Sequence, residues 1–205
     1  MPAQEQSRSR RHVYAEMTRR EVVRSARKLF GRDGYAQTTV ESIARDAQVS
    51  PATVYAQCGG KEGLLQKLMD MWTTSNLVPS IIAECAAAES AHAKLDALAK
   101  GYVAIYAESG DIIRIVTRAA AGAPAAEAFL EVADERHQTS LREIVTGMRD
   151  AGGLAGGVTV EDAVRVIFFH FRYAQFALAA DDFGWGVERT TRWLTERVEA
   201  AILKP

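Results

Sequence analysis

Between residues 38 and 61 the apolar positions fall into two short helical runs, and the rest of the chain is arranged around them. Val40, Ile43, Ala44 and Ala47 recur at i, i+3, i+4 and i+7, the spacing of one helix face. Thr38 and Thr39 stand ahead of that run, where either can cap it, and Thr38 with Glu41 fits the reciprocal capping pattern. After a break at Gln48 and Val49 comes a second start signal: Ser50 as N-cap and Pro51 at the first helical position, where the missing amide costs nothing. Gly59 and Gly60 stop the second run. Two short helices joined by about three residues predict a helix-turn-helix, whose second helix can enter a DNA major groove.

The flanking pattern is helical as well. Val22, Ala26, Leu29 and Phe30 sit at i, i+4, i+7 and i+8 and predict an amphipathic helix over 15–31, ended by Gly34. Leu64, Leu65, Leu68, Met69 and Trp72 predict a long helix from Lys61 into the mid-80s, the only covalent bridge between two halves, which Pro79 must bend or break. Further helices are expected over 91–108, 111–121, 124–151, 159–180 and 186–203, with a glycine-rich loop at 152–157. No stretch alternates with the period of a strand. The expected fold is all-α, with about nine helices: a disordered basic arm over 1–14, a three-helix helix-turn-helix domain over 15–60 and a second helical domain over 61–205. The helix over 159–180 is apolar nearly all the way round, so it needs cover on two sides. A second subunit is one cover, with Val187, Trp193, Leu194, Val198, Ala201 and Ile202 of the last helix beside it; a central place in a monomeric core is the alternative.

The run from about Arg20 to Leu68 resembles the DNA-binding domain of the TetR family of bacterial transcriptional repressors. The resemblance lies in Ala26, Leu29, Phe30, Gly34, Tyr35, Thr38, Thr39, Ile43, Ala44, Ala47, Val49, Ser50, Thr53, Tyr55, Lys61, Glu62 and Leu64, roughly a quarter of the chain. It implies a DNA-binding domain over 15–60, a helical ligand-binding and dimerisation domain over 61–205, and a homodimer through the last two helices that binds a palindromic operator and a small-molecule effector. The residues expected at DNA are Thr38, Thr39, Ser50, Pro51, Ala52, Thr53, Tyr55, Gln57 and Lys61. Of these, Thr39, Tyr55 and Lys61 suit phosphates, Gln57 can pair with adenine, and Ala52 and the Thr53 methyl suit a thymine methyl. The chain departs from the family pattern at three places. Gln48 stands where glycine is usual, Cys58 where an aromatic is usual, and Gly60 where Ser, Asp or Asn is usual.

Composition adds an asymmetry. The net charge is −1 over 205 residues, but residues 1–70 hold 12 Lys and Arg against 8 Asp and Glu, and the remainder 13 against 18. A basic first third suits contact with a polyanion. An apolar share of 48% is ordinary for a globular protein, no apolar run reaches membrane-spanning length, and the cytoplasm is the expected compartment. Cys58 and Cys85 have no metal-ligand spacing, and neither a metal nor a cofactor is expected. A thiol-responsive use of Cys58 stays open.

No phosphate loop, serine elbow or paired metal histidines appear, so an enzyme is not expected. Candidates for an effector pocket are Trp72, Tyr102, Tyr106, Phe129, His137, Phe168, Phe169, Arg172, Tyr173 and Phe176, which would supply apolar walls and a few polar groups. Core packing accounts for any one of them alone. The rival function is a helical small-molecule-binding or interaction protein of the same fold with weak or lost DNA binding.

Overall fold

Helix α1 (Pro2–Asp33) opens the chain, in a computed structural model that describes residues 2–205 and side chains from His12 onward. It begins well ahead of the expected start at residue 15: after Pro2 the segment contains no glycine or proline before Gly31, and its alanines, glutamines, glutamates and arginines are good helix formers. Residues 2–14 therefore continue α1 instead of forming a separate arm, and Arg8, Arg10 and Arg11 lie outside the described side chains. Gly34 ends the helix at φ 85°, a left-handed conformation.

The two predicted short helices follow as α2 (Val40–Asp46) and α3 (Pro51–Cys58), then α4 (Gly60–Thr73). Their shared core is the one read from spacing: Val22, Ala26, Leu29 and Phe30 of α1, Ile43 and Ala44 of α2, Val54 of α3, and Leu64, Leu65 and Leu68 of α4 are all buried. Each large aliphatic among them contributes about 2 kcal/mol by leaving water.

The expected long helix from Lys61 is interrupted earlier than Pro79. It stops at Thr73, and α5 (Leu77–Ala87) starts afresh with Pro79 in its first turn. That is where proline belongs, because the first-turn amides have no helical partner. The Thr73 hydroxyl folds back to Met69 O at 3.1 Å, and Leu77 N–H donates to Ser75 Oγ at 3.2 Å across the break.

A second correction concerns residues 91–121. One uninterrupted helix, α6 (Ala91–Ala119), replaces the two expected, and Gly110 does not divide it. A Cβ at Gly110 would come within 2.9 Å of the Tyr106 ring, so glycine serves close packing here and its helix penalty of about 1 kcal/mol is absorbed. Gly101 plays the same part between α5 and α6, where a Cβ would meet Ile81 at 2.6 Å. Helix α7 (Pro124–Asp150) matches its expected bounds.

The third correction is in the apolar stretch after Thr159. Thr159 caps α8 (Val160–Phe171) as expected, its hydroxyl accepting from Asp162 N–H at 3.1 Å. The helix then breaks at Arg172, resumes as α9 (Tyr173–Ala177) and ends in a π-helical turn (Leu178–Asp182) before α10 (Gly186–Ile202). Taking the broken stretch as one element, the helix number among the described residues is close to the nine expected. An isolated bridge, Leu154 with Leu203, ties the chain end to the glycine-rich loop. No described helix is long and apolar enough to cross a membrane.

Contacts divide the chain into two bodies. The first runs to Thr73 and takes in Ile115–Glu127; the second comprises Thr74–Arg114 and Ala128–Pro205. The bodies are therefore joined at three points along the chain, two of them inside the continuous helices α6 and α7. The helix from Lys61 is not the only covalent bridge.

Candidate nucleic-acid interface and effector cluster

Helix α2 is capped by Thr39, not Thr38. The Thr39 hydroxyl accepts from Ser42 N–H at 3.1 Å, and Ser42 Oγ accepts from Thr39 N–H at 3.2 Å. Ser42 thus completes the capping box in place of Glu41. Thr38, expected at DNA, is buried, and its hydroxyl donates to Gly34 O at 2.8 Å. Its role is to staple the α1–α2 turn. Lys28 of α1 reaches Asp46 at the end of α2 at 2.6 Å, an ion pair the spacing of apolar residues could not reveal.

The turn between α2 and α3 closes through Ala47 N–H to Ile43 O and Val49 N–H to Ala44 O, both 2.9 Å. Gln48 sits at its apex with φ 56°, in the left-handed region. A side chain there costs about 1–2 kcal/mol, partly offset by the smaller unfolded-state entropy of a non-glycine residue. Gln48→Gly is therefore expected to stabilise the domain by about 0.5–1 kcal/mol. A urea midpoint that stays put or falls in the variant would mean Gln48 makes compensating contacts.

Ser50 caps α3, accepting from Thr53 N–H at 3.1 Å, and its hydroxyl also meets Thr53 Oγ1 at 2.9 Å. Both hydroxyls are thus engaged in the cap. Pro51, Ala52 and Tyr55 are exposed and Gln57 half-exposed, whereas Val54 and Cys58 turn into the core. Tyr55 stands out at 59% exposure.

The joint to α4 is built on glycines. Gly59 caps α3 at φ 75°, donating to Tyr55 O at 2.9 Å, and Gly60 also has φ 75°. A Cβ on Gly60 would lie 2.7 Å from Tyr55 Cε1, so the bare glycine makes a seat for that ring. Lys61, one residue on, donates to Ala36 O at 3.1 Å and lies 4.4 Å over the Tyr35 ring. Burial raises the Cys58 thiol above its ordinary range, away from the thiolate that redox chemistry uses. A groove of about 450 Å³ between α1 and α4 gathers Arg19, Arg20, Arg24, Arg27 and Lys67 against Glu16 and Asp70.

In the second body, several of the predicted effector residues meet. The Tyr102 hydroxyl and His137 Nε2 are 2.5 Å apart. Tyr102 stacks on Phe171 at 4.3 Å, and the His137 ring lies 5.4 Å from both Phe168 and Tyr173. Tyr106 packs on Phe176, and its hydroxyl donates to Asp181, which also accepts from Arg114 at 3.0 Å. Arg172 is bound to Asp134 at 2.6 Å and lies 5.9 Å from the Phe168 ring centre. Burial raises the Tyr102 hydroxyl well above its usual range and lowers His137 to about 4, so both are neutral at pH 7. Phe169 does not join this cluster: it is 66% exposed on the other side of α8. Trp72 is buried in the first body, and Phe129 is half-buried in the second.

Residues 22–68 match the family described as bacterial regulatory proteins, tetR family. The HTH-type transcriptional regulator HbdR of Aromatoleum sp. (strain CIB) is 40% identical over 50 residues, which span 24% of this chain and 22% of HbdR. Over nearly the whole chain the fold is similar to that of SmeT, the repressor of the Stenotrophomonas maltophilia multidrug efflux pump SmeDEF, in its triclosan complex. There the TM-score is 0.69 at 17% identity, over 92% of each chain. A putative transcriptional regulator from Saccharomonospora viridis in complex with choline gives 0.72 at 15% identity, over 93% of this chain and 100% of that one. Residues 22–68 thus resemble the helix-turn-helix region of the TetR family of bacterial regulatory proteins, and the all-helical fold of the chain is similar to that of these solved structures.

Proposed function

We propose that the protein is a homodimeric, cytoplasmic transcriptional repressor that leaves a palindromic operator when a small molecule binds its C-terminal domain. The observation that carries this reading is the division of α3 into two faces. Val54 and Cys58 anchor it in the core, while Pro51, Ala52, Tyr55 and Gln57 project from a helix capped at both ends. Residues 15–60 form the reader, with Thr39 and Lys61 at the phosphates, and 61–205 hold effector and partner. The dimer forms through α8, α10 and the segment between them: Phe169 of α8, Leu178 and Phe183 of that segment and Trp193 of α10 are exposed large apolar residues. The SmeT–triclosan complex and the choline complex of the Saccharomonospora viridis regulator support small-molecule binding in this fold. Effector binding reaches the reader through α6 and α7 as well as α4, and a coupling of about 1–3 kcal/mol suffices to change occupancy by one to two orders of magnitude.

The test is fluorescence anisotropy with DNA from upstream of the protein's own gene against scrambled DNA, at two salt concentrations. A preference of about a thousandfold is expected. Equal, salt-sensitive binding to both would leave backbone contact alone and favour the interaction-protein reading.

The glycine seat adds a sharper expectation. Gly60→Ala pushes the Tyr55 ring off its position and weakens operator binding roughly tenfold, the scale of one lost contact. Tyr55→Ala weakens it by a similar factor, and adding Gly60→Ala to Tyr55→Ala costs little more operator binding, although the left-handed backbone at Gly60 makes the alanine lower fold stability by about 1 kcal/mol in either background. Additive losses would mean that Gly60 acts through the backbone and not through Tyr55.

A further inference from the structure

Among the described residues of the second body, three buried side-chain polar atoms have no protein hydrogen-bond partner: His137 Nδ1, Gln175 Oε1 and Thr190 Oγ1. Of these, His137 Nδ1 lies in the aromatic cluster and points to a ligand. Leaving such an atom unpaired is costly, and a phenylalanine or leucine at 137 would pack among Tyr102, Phe168 and Tyr173 without that cost. Packing therefore does not explain a histidine here. Its Nε2 is taken by the Tyr102 hydroxyl, which leaves Nδ1 as the one open valence of a ring enclosed by three aromatic side chains.

We propose that His137 is the polar anchor of the effector site, and that the site takes an uncharged, flat, largely apolar molecule carrying one hydroxyl group. This deepens the effector-responsive reading above and rests on it. The hydroxyl follows from the imidazole. If Tyr102 donates to Nε2, Nδ1 carries the proton and needs an acceptor; with the other tautomer, Nδ1 needs a donor. A hydroxyl serves both. The flat apolar body follows from the walls, since Tyr102, Phe168 and Tyr173 offer ring surface.

Neutrality follows from the charges. Arg172 is held by Asp134 and Arg114 by Asp181, so these ion pairs offer neither an uncommitted cation to a carboxylate nor an uncommitted carboxylate to an ammonium group. Phe168 and Tyr173 flank the break at Arg172, where α8 gives way to a five-residue helix and a π turn. That short broken segment is the wall that shifts to admit the ligand, because it has fewer helical hydrogen bonds to lose than α6 or α7.

The test uses the full chain and three probes of one shape: 2-naphthol, 2-methylnaphthalene and 2-naphthoate, each titrated by calorimetry at pH 7. The expected result is that 2-naphthol binds tightest, and that His137→Phe lowers its affinity at least roughly tenfold while leaving 2-methylnaphthalene unchanged. His137→Gln, which keeps a hydrogen-bonding side chain, is expected to retain part of the 2-naphthol affinity and serves if the phenylalanine variant does not fold. Preference for 2-naphthoate, equal losses for both neutral probes, or no binding by any of the three overturns the proposal. Operator release is read separately by anisotropy. Binding of 2-naphthol without release would leave the site standing and count against the effector-responsive reading.

Discussion

Replacing Lys94 with methionine is expected to destabilise the protein by about 3 kcal/mol, although no functional residue is touched. Lys94 lies in the first turn of α6 and is buried, and its ammonium closes the C-terminal end of α5. It donates to Cys85 O at 2.8 Å, Ala88 O at 2.7 Å and Ala86 O at 3.3 Å. These are carbonyls of the last helical turn, which have no helical donor of their own and carry the negative end of the helix dipole. A methionine of similar length keeps the packing against Gly147 but strands those oxygens. Charge-assisted hydrogen bonds are worth about 1.5–3 kcal/mol each, and some of the loss is recovered by water reaching the carbonyls. Urea unfolding measures it. A change below about 1 kcal/mol would mean that water already satisfies the end of α5.

Stability is also expected to fall as pH drops from 6.5 to 4, through His137. Burial lowers this imidazole from its ordinary 6.5 to about 4, and no nearby charge offsets the burial. The unfolded chain takes up a proton near pH 6.5 that the folded protein refuses until about pH 4. The stabilisation is thus complete above 6.5 and is lost progressively down to 4, by a total of about 3 kcal/mol at 1.4 kcal/mol per unit. The carboxylates Asp33, Asp46 and Glu161, held below their usual range chiefly by hydrogen bonds from Arg32, Lys28 and Arg142, lose theirs only in more acid solution. Unfolding midpoints at pH 7, 5.5 and 4.5 for wild type and His137→Phe separate the two windows. Parallel pH curves for the two proteins would show that His137 titrates normally in the fold.

The helix-turn-helix was legible because its determinants are local. Ser50, Pro51 and the spacing of Val40, Ile43 and Ala44 act within one or two turns, and α2 and α3 stand where they place them. The choice between Thr38 and Thr39 as cap was not legible. Both are threonines, and what separates them is that Thr38 reaches back across the turn to Gly34 and Leu29. The same limit explains α6 and α8. Gly110 looks like a break until the Tyr106 ring covers it, while nothing between Thr159 and Ala180 announces the break at Arg172, whose guanidinium is bound to Asp134 on α7.

The candidate sites divide in the same way. Residue type and family pattern brought Tyr55, Lys61, Tyr102, His137, Tyr173 and Phe176 into consideration. Only distances put Tyr102 on His137, left Nδ1 unpaired, turned Phe169 outward and seated Tyr55 on Gly60. By itself, then, the sequence determined an all-helical chain with a helix-turn-helix near its start, since helical period, caps and turn residues are short-range properties. Tertiary structure decided which buried polar groups are satisfied, which helices run on or break, and which side chains meet. Those outcomes depend on partners brought close by folding, such as Arg172 and Asp134, 38 residues apart in the chain.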